Sequence, residues 1–332
     1  MSWIFTIIAY LIAIALLLGL VAAVIAPFES LGWWAGWSKR WPKPMGLPPP
    51  TQPRPGPEPS CYIVYLSGVG STGAGGLTPK ERNFLTLLAQ RQPGAAIIDD
   101  VFPYSPAGVG LTEKRATTAF WRWVTQAMRR PATRELWRII GIRNVLQVAV
   151  SADPRYGPVF NFGIARSIVL QLLRQGYQMR TRAPIILVGL SGGGQVAVGG
   201  GAALRRLIGA PVWVISVGGV LTSDASVVDI EHIYHLSGSR DHTQYLGLRL
   251  YPGCWPIFPR SAWNQAMAQG KRTVIRVGPM RHMGHGDYFS PTVTLPDGQT
   301  HAAHSADVIG ELVDRIIVRA GATREKEQGA IC

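Results

Sequence analysis

Between Pro184 and Leu207 the chain passes almost directly from an apolar run to a glycine turn to a helical pattern. Ile185-Ile186-Leu187-Val188 is short, continuous and branched, as expected of a strand buried on both faces. Gly189-Leu190-Ser191-Gly192-Gly193-Gly194 follows, and helical spacing of apolar residues resumes from Gln195 to Leu207. The alternation recurs. Strands are expected at Cys61–Leu66, Ala95–Val101, Val212–Val217, His232–Leu236 and Thr273–Val277. Helices are expected from Thr78, where Thr78-Pro79-Lys80-Glu81 spells a capping box, at Ile164–Leu173, and over Val308–Ile317. Strands alternating with helices imply an α/β fold: a mostly parallel sheet with helices on both faces.

The N-terminal segment is of a different kind. Trp3 to Ala26 is 24 residues without a charge. At about 1.5 Å per residue it exceeds the roughly 30 Å of a bilayer core, so one N-terminal transmembrane helix is expected. The stretch has no basic n-region, and Pro27 blocks cleavage after Ala26, which favours a retained anchor over a signal peptide. Lys39, Arg40, Lys43 and Arg54 follow the span and nothing basic precedes it, so the domain that follows is expected on the cytoplasmic side. Residues 42–59 hold nine prolines and are expected to extend as polyproline II. The expected organisation is an anchor over 1–27, a Trp- and Pro-rich linker over 28–59, one domain over 60–320 with a helical insertion at about 103–160, and a tail over 321–332.

A net charge of +14 suits an anionic surface. No zinc-finger spacing, aromatic ribonucleoprotein motif or basic recognition helix occurs, so the expected partner is membrane lipid, not nucleic acid. In the insertion, Ala116, Phe120, Trp123, Val124, Ala127 and Met128 fall on one helical face, opposite Arg115, Arg122, Arg129 and Arg130. That face is expected to pack as a cap or to rest on lipid.

Catalytic groups in a parallel sheet belong at the carboxyl ends of strands, where Ser191 lies. The sharp turn from strand to helix requires glycines at minus two and plus two, here Gly189 and Gly193. A serine hydroxyl needs a histidine to take its proton and a carboxylate to orient that histidine. Ser237-Gly238-Ser239-Arg240-Asp241 follows one later strand. Arg281-His282-Met283-Gly284-His285-Gly286-Asp287-Tyr288-Phe289 follows the next.

In its order of nucleophile, acid and histidine, the chain resembles the α/β-hydrolase family over most of Ser60 to Ala320. The GLSGG, SGSRD and GHGDYF stretches carry the resemblance. It implies Ser191 as nucleophile, Asp241 as orienting acid and His285 as general base. Asp224 is the alternative acid and His282 the alternative base. Glycines on both sides of His285 favour it, by letting its loop approach the serine. Gly192 and Val69 are expected to present the backbone N–H groups of an oxyanion hole; Val69 departs from the His-Gly pair many members carry there.

The implied activity is cleavage of a carboxyl ester or thioester with an apolar acyl part, through an acyl-enzyme and with no cofactor. Two alternatives remain open. One is a catalytically silent, hydrolase-like subunit or scaffold of a membrane complex. The other is a dinucleotide-binding protein, because Gly68-Val69-Gly70-Ser71-Thr72-Gly73 spells GxGxxG after a strand; a helix starting only at Thr78 weakens it. His301 and His304, with His282, His285 and Asp287, match no zinc spacing, so no metal is expected.

Overall fold

The computed structural model describes residues 2–37, 41, 43, 58–115, 117–178 and 183–329. Six strands form one sheet: β1 (Cys61–Leu66), β2 (Ala95–Ile98), β3 (Ile185–Leu190), β4 (Val212–Val217), β5 (His232–Ser237) and β6 (Arg272–Arg276). Their spatial order is β2-β1-β3-β4-β5-β6, and every pairing is parallel. The α/β class with a parallel, helix-covered sheet is therefore as the alternation of apolar runs indicated.

Strand side chains alternate between the two faces, so each buried strand feeds two cores. Tyr62, Val64 and Leu66 of β1 pack into one core, whereas Cys61, Ile63 and Tyr65 pack into the other. The helices are α1 (Ser2–Trp34), α2 (Pro79–Arg91), α3 (Thr118–Ala127), α4 (Trp137–Ala152), α5 (Gly157–Arg174), α6 (Gly192–Ile208), α7 (Leu246–Leu250), α8 (Ala262–Ala268) and α9 (His301–Gly329). Phe160 and Ile164 of α5 and Val196 and Leu204 of α6 close the first core. Phe84 and Leu88 of α2 and Ile309, Leu312 and Ile316 of α9 close the second.

Helix α2 begins where its capping box says it should. Thr78 Oγ1 accepts from the Glu81 amide, and the Glu81 carboxylate accepts from the Thr78 amide. The other Glu81 oxygen accepts from the buried Tyr65 hydroxyl at 2.8 Å, which ties the cap to β1.

Helix α1 differs from the expected anchor and linker. It continues through Pro27 to Trp34, so the boundary expected at residue 27 falls inside a helix. Its last two turns pack on the domain: Ser30 and Trp33 are buried, the Trp33 ring lies 6.3 Å from that of Phe162, and Glu29 pairs with both Arg115 and Arg143. Trp3, Phe5, Tyr10, Leu17, Leu20 and Val24, in its first part, are exposed. Among the described residues, no helix is long and apolar enough to cross a membrane. Most of the proline-rich stretch lies outside the described residues. At the other end, α9 carries the expected tail as helix up to Gly329.

The insertion is helical, and α3 turns inward only part of the face its spacing suggested: Val124 and Met128 pack on the core. Trp121 and Val124 are buried, while Phe120 and Trp123 are exposed. Arg115, expected among the solvated arginines, is 8 % exposed. Its guanidinium donates to the carbonyls of Val109 and Gly110 and to Glu29 of α1.

Candidate active site

Ser191 stands between the end of β3 and the start of α6, at φ 54° and ψ −121°. Such a backbone costs a non-glycine residue about 1–3 kcal/mol and persists only when its surroundings over-determine it. Here they do. The Ser191 amide donates to the Val217 carbonyl at 3.0 Å, and its carbonyl accepts from Gly194 and Val220 at 3.0 and 3.2 Å. The turn is also too tight for neighbouring side chains. A Cβ on Gly189 would stand 2.4 Å from the Gly193 carbonyl oxygen, and one on Gly193 would stand 2.5 Å from that of Leu66.

The Ser191 hydroxyl meets His282, not His285: Oγ lies 2.7 Å from His282 Nε2. His282 Nδ1 faces both carboxylate oxygens of Asp241 at 3.0 Å. The expectation for His285 is thus corrected, and the shape of the loop explains it. The Arg281 amide donates to the Gly286 carbonyl and Arg281 bridges to Asp287, which closes residues 282–286 into a turn. Gly284 and Gly286, both at φ +83°, make that closure possible and carry His285 outward to an exposed tip. Lys80, at the start of α2, clamps the turn by donating to the Gly284 carbonyl and to Asp287 at 2.7 and 2.6 Å.

Asp241 occupies the loop after β5 and is 1 % exposed. Burial works against its charge, but hydrogen bonds from His282 and Tyr288 outweigh burial and hold the carboxyl below its ordinary value. Tyr288 donates to Asp241 Oδ2 at 2.9 Å and accepts from the Gly238 amide. Burial, with the Asp241 charge beside it, pushes the Tyr288 phenol upward, so it remains a donor. Behind Asp241, Gln244 Nε2 donates to the carbonyls of Gly238 and Asp241, and Gln244 Oε1 faces His235 Nε2 at 3.0 Å. An amide oxygen only accepts, so His235 donates from Nε2 and accepts from the Ser216 hydroxyl at Nδ1. Burial and the Arg272 charge pull His235 down to about 4, which keeps it neutral. Asp224, the alternative acid, meets no histidine: its carboxylate accepts from Gln195 and from the Ser226 amide.

Val69 and Gly192 come together beside Ser191, so close that a Cβ on Gly192 would lie 2.7 Å from Val69 Cγ1. Gly192 opens α6, where backbone amides have no carbonyl partner within the helix. The carbonyls of the facing loop are drawn away. Asn144 of α4 donates to the carbonyls of Val69 and Ser71 at 2.7 and 2.8 Å, and Tyr104 donates to that of Ser67 at 2.7 Å. No local pattern in the sequence singled out Asn144 or Tyr104, and the GHGDYF stretch gave Tyr288 no role, because each acts across a fold contact. The glycines at 68–73 belong to this loop, and α2 starts well beyond them.

A cavity of about 620 Å³ opens over Ser191 and His282. Val69, Leu190, Trp137, Met283 and Phe289 line it, and Arg134 stands at its side. Among the described residues, no group of three His, Cys, Asp or Glu side chains is arranged to hold a metal ion. Chemically, the line Asp241–His282–Ser191 can move a proton from the hydroxyl to an imidazole whose positive charge the carboxylate would stabilise. The chain matches no protein-family model and no curated protein.

Proposed function

We propose that the chain is a serine hydrolase that cleaves a carboxyl ester or thioester through an acyl-enzyme. The observation that carries this reading is the unbroken line of contacts from Asp241 through His282 to a strained Ser191 at the end of a parallel strand. Ser191 Oγ attacks the substrate carbonyl carbon as its proton passes to His282 Nε2. Amides at Gly192 and Val69 stabilise the oxyanion. Collapse breaks the bond to the leaving oxygen or sulfur, which takes the proton from His282. Water, deprotonated by the same imidazole, then attacks the acyl-serine and releases the carboxylic acid. The largely apolar lining of the 620 Å³ cavity suits an apolar acyl group.

The same proposal places the enzyme at a membrane, tethered through the uncharged 3–26 segment of α1 with the domain on the cytoplasmic side. The exposed apolar side chains of that segment and the basic residues following it support this part. A fluorophosphonate probe is expected to label the folded protein on Ser191 and to fail completely on Ser191→Ala. Failure to label well-folded wild-type protein would instead favour a silent, hydrolase-like subunit of a membrane assembly.

A further inference from the structure

A second cavity, of about 770 Å³, lies between α1, α3 and α4 and shares no lining residue with the one at Ser191. Its volume falls within the roughly 300–1,000 Å³ of pockets that hold small organic ligands. Ile25 of α1, Trp121 of α3, and Ile139, Ile142 and Leu146 of α4 give it apolar walls. Ile25, Ile139 and Ile142 are also exposed, so the walls continue into the apolar outer face of α1 at Val21 and Val24.

The polar end of the cavity carries an unbalanced charge. Arg115 and Arg143 converge on the single carboxylate of Glu29, one guanidinium on each oxygen, which leaves one surplus positive charge in a half-enclosed apolar setting. Neutral groups meet other N–H groups of the pair: the Val109 and Gly110 carbonyls for Arg115, and the Tyr104 carbonyl and Asn144 for Arg143. What is missing is a second negative charge, and a charge in such a setting is costly without one. An occupant therefore needs an anionic group and an apolar chain.

We propose that this cavity binds a single-chain anionic lysophospholipid, its phosphate against the Arg115–Arg143 pair and its acyl chain along α4. The site is independent of the reading of Ser191. It gives the junction between α1 and the domain a ligand of its own.

The test uses full-length protein in nanodiscs of uncharged phosphatidylcholine and a lysophosphatidylglycerol carrying a photoactivatable diazirine in its acyl chain. Labelling is expected on Trp121 and on residues 139–147, as read by peptide mass spectrometry. Unlabelled lysophosphatidylglycerol is expected to compete about tenfold better than lysophosphatidylcholine of the same chain length. Ala22→Trp, which fills the cavity from the exposed side of α1, is expected to abolish labelling at these positions without changing the melting temperature. Ile142→Trp serves if Ala22→Trp does not fold. Three outcomes would overturn the proposal: label confined to residues 3–24 and unaffected by Ala22→Trp, equal competition by the two lipids, or cross-links that seat residues 42–59 of this chain in the cavity.

Discussion

The loops at the carboxyl ends of β3, β5 and β6 and the junction of α1 with α3 and α4 both bury charged and polar groups, but they resolve that burial differently. In the first region every member of the line from Asp241 to Ser191 has a partner. Asp241 is met by His282, Tyr288 and Gln244, and His235 is met at both ring nitrogens. In the second, two guanidiniums share one carboxylate, Gln147 Oε1 has no partner among the described residues, and Phe120, Trp123 and Ile142 stay exposed. The difference teaches where each region obtains its order. The sheet end is held by its own backbone and side chains, as a preorganised site requires. The α1 junction carries a charge that the described residues leave unbalanced and that the proposed lipid would match.

The largest effect that can break this comparison is on chemistry. His282→Ala should lower kcat/KM for an activated ester by about 10⁴-fold or more, since removing one member of such a unit removes most of its action. His285→Ala should leave kcat/KM within about twofold, as expected of an exposed loop tip. Steady-state kinetics on the two variants decides between the histidines; the reverse ranking would dismiss the geometry.

At the α1 junction, Glu29→Gln strands two guanidiniums that now share a carboxylate. Breaking a buried ion pair by removing one partner costs about 3–5 kcal/mol. A fall in melting temperature is expected, partly restored by added lysophosphatidylglycerol if that lipid supplies the missing negative charge.

The pH dependence of stability tests the network behind Asp241. Unfolded, His235 titrates near 6.5; folded, it is held down to about 4. Between those values the unfolded chain takes up a proton that the folded one refuses, so stability is lost as pH falls from about 6.5 towards 4, by roughly 3 kcal/mol in all. Asp241, with its carboxyl lowered, contributes in the same sense, its share being lost only at more acid pH. Denaturant melts at pH 7 and pH 4.5 should show the loss in the wild type and a smaller one in His235→Gln.

The smallest effect is on the exposed face of α3. Trp123→Ser should change unfolding free energy by no more than about 0.5 kcal/mol, as for other surface substitutions. A larger loss in chemical denaturation would mean that this face is covered within the chain.

Much of the site was legible before the fold was known. Gly189, Ser191 and Gly193 announced a tight strand-to-helix turn, and Asp241 lay in the loop the next strands demanded. His282 and His285 were both visible, but local reasoning favoured the wrong one: the glycines beside His285 were read as letting it approach the serine. In the folded chain they close a turn that carries it away. What sets the direction of that turn includes Lys80, 204 residues from the carbonyl it grips. Asn144 and Tyr104 were not legible at all, since each is defined by the backbone it reaches in another element, and Tyr288 was visible in its motif but not as a partner of Asp241.

Alternation of apolar runs with helical periods, the capping box at Thr78 and the glycine turn at Ser191 are local consequences of side-chain shape and hydrogen-bonding capacity, and the sequence determined them alone. Which histidine faces the serine, which part of the α3 face turns inward, and how far α1 runs before it joins the domain were decided only in three dimensions. Each depends on partners far apart along the chain, such as Lys80 with Gly284 or Arg115 with Glu29. No local spacing encodes the distance between such groups; only closing the sheet and stacking its helices brings them within reach.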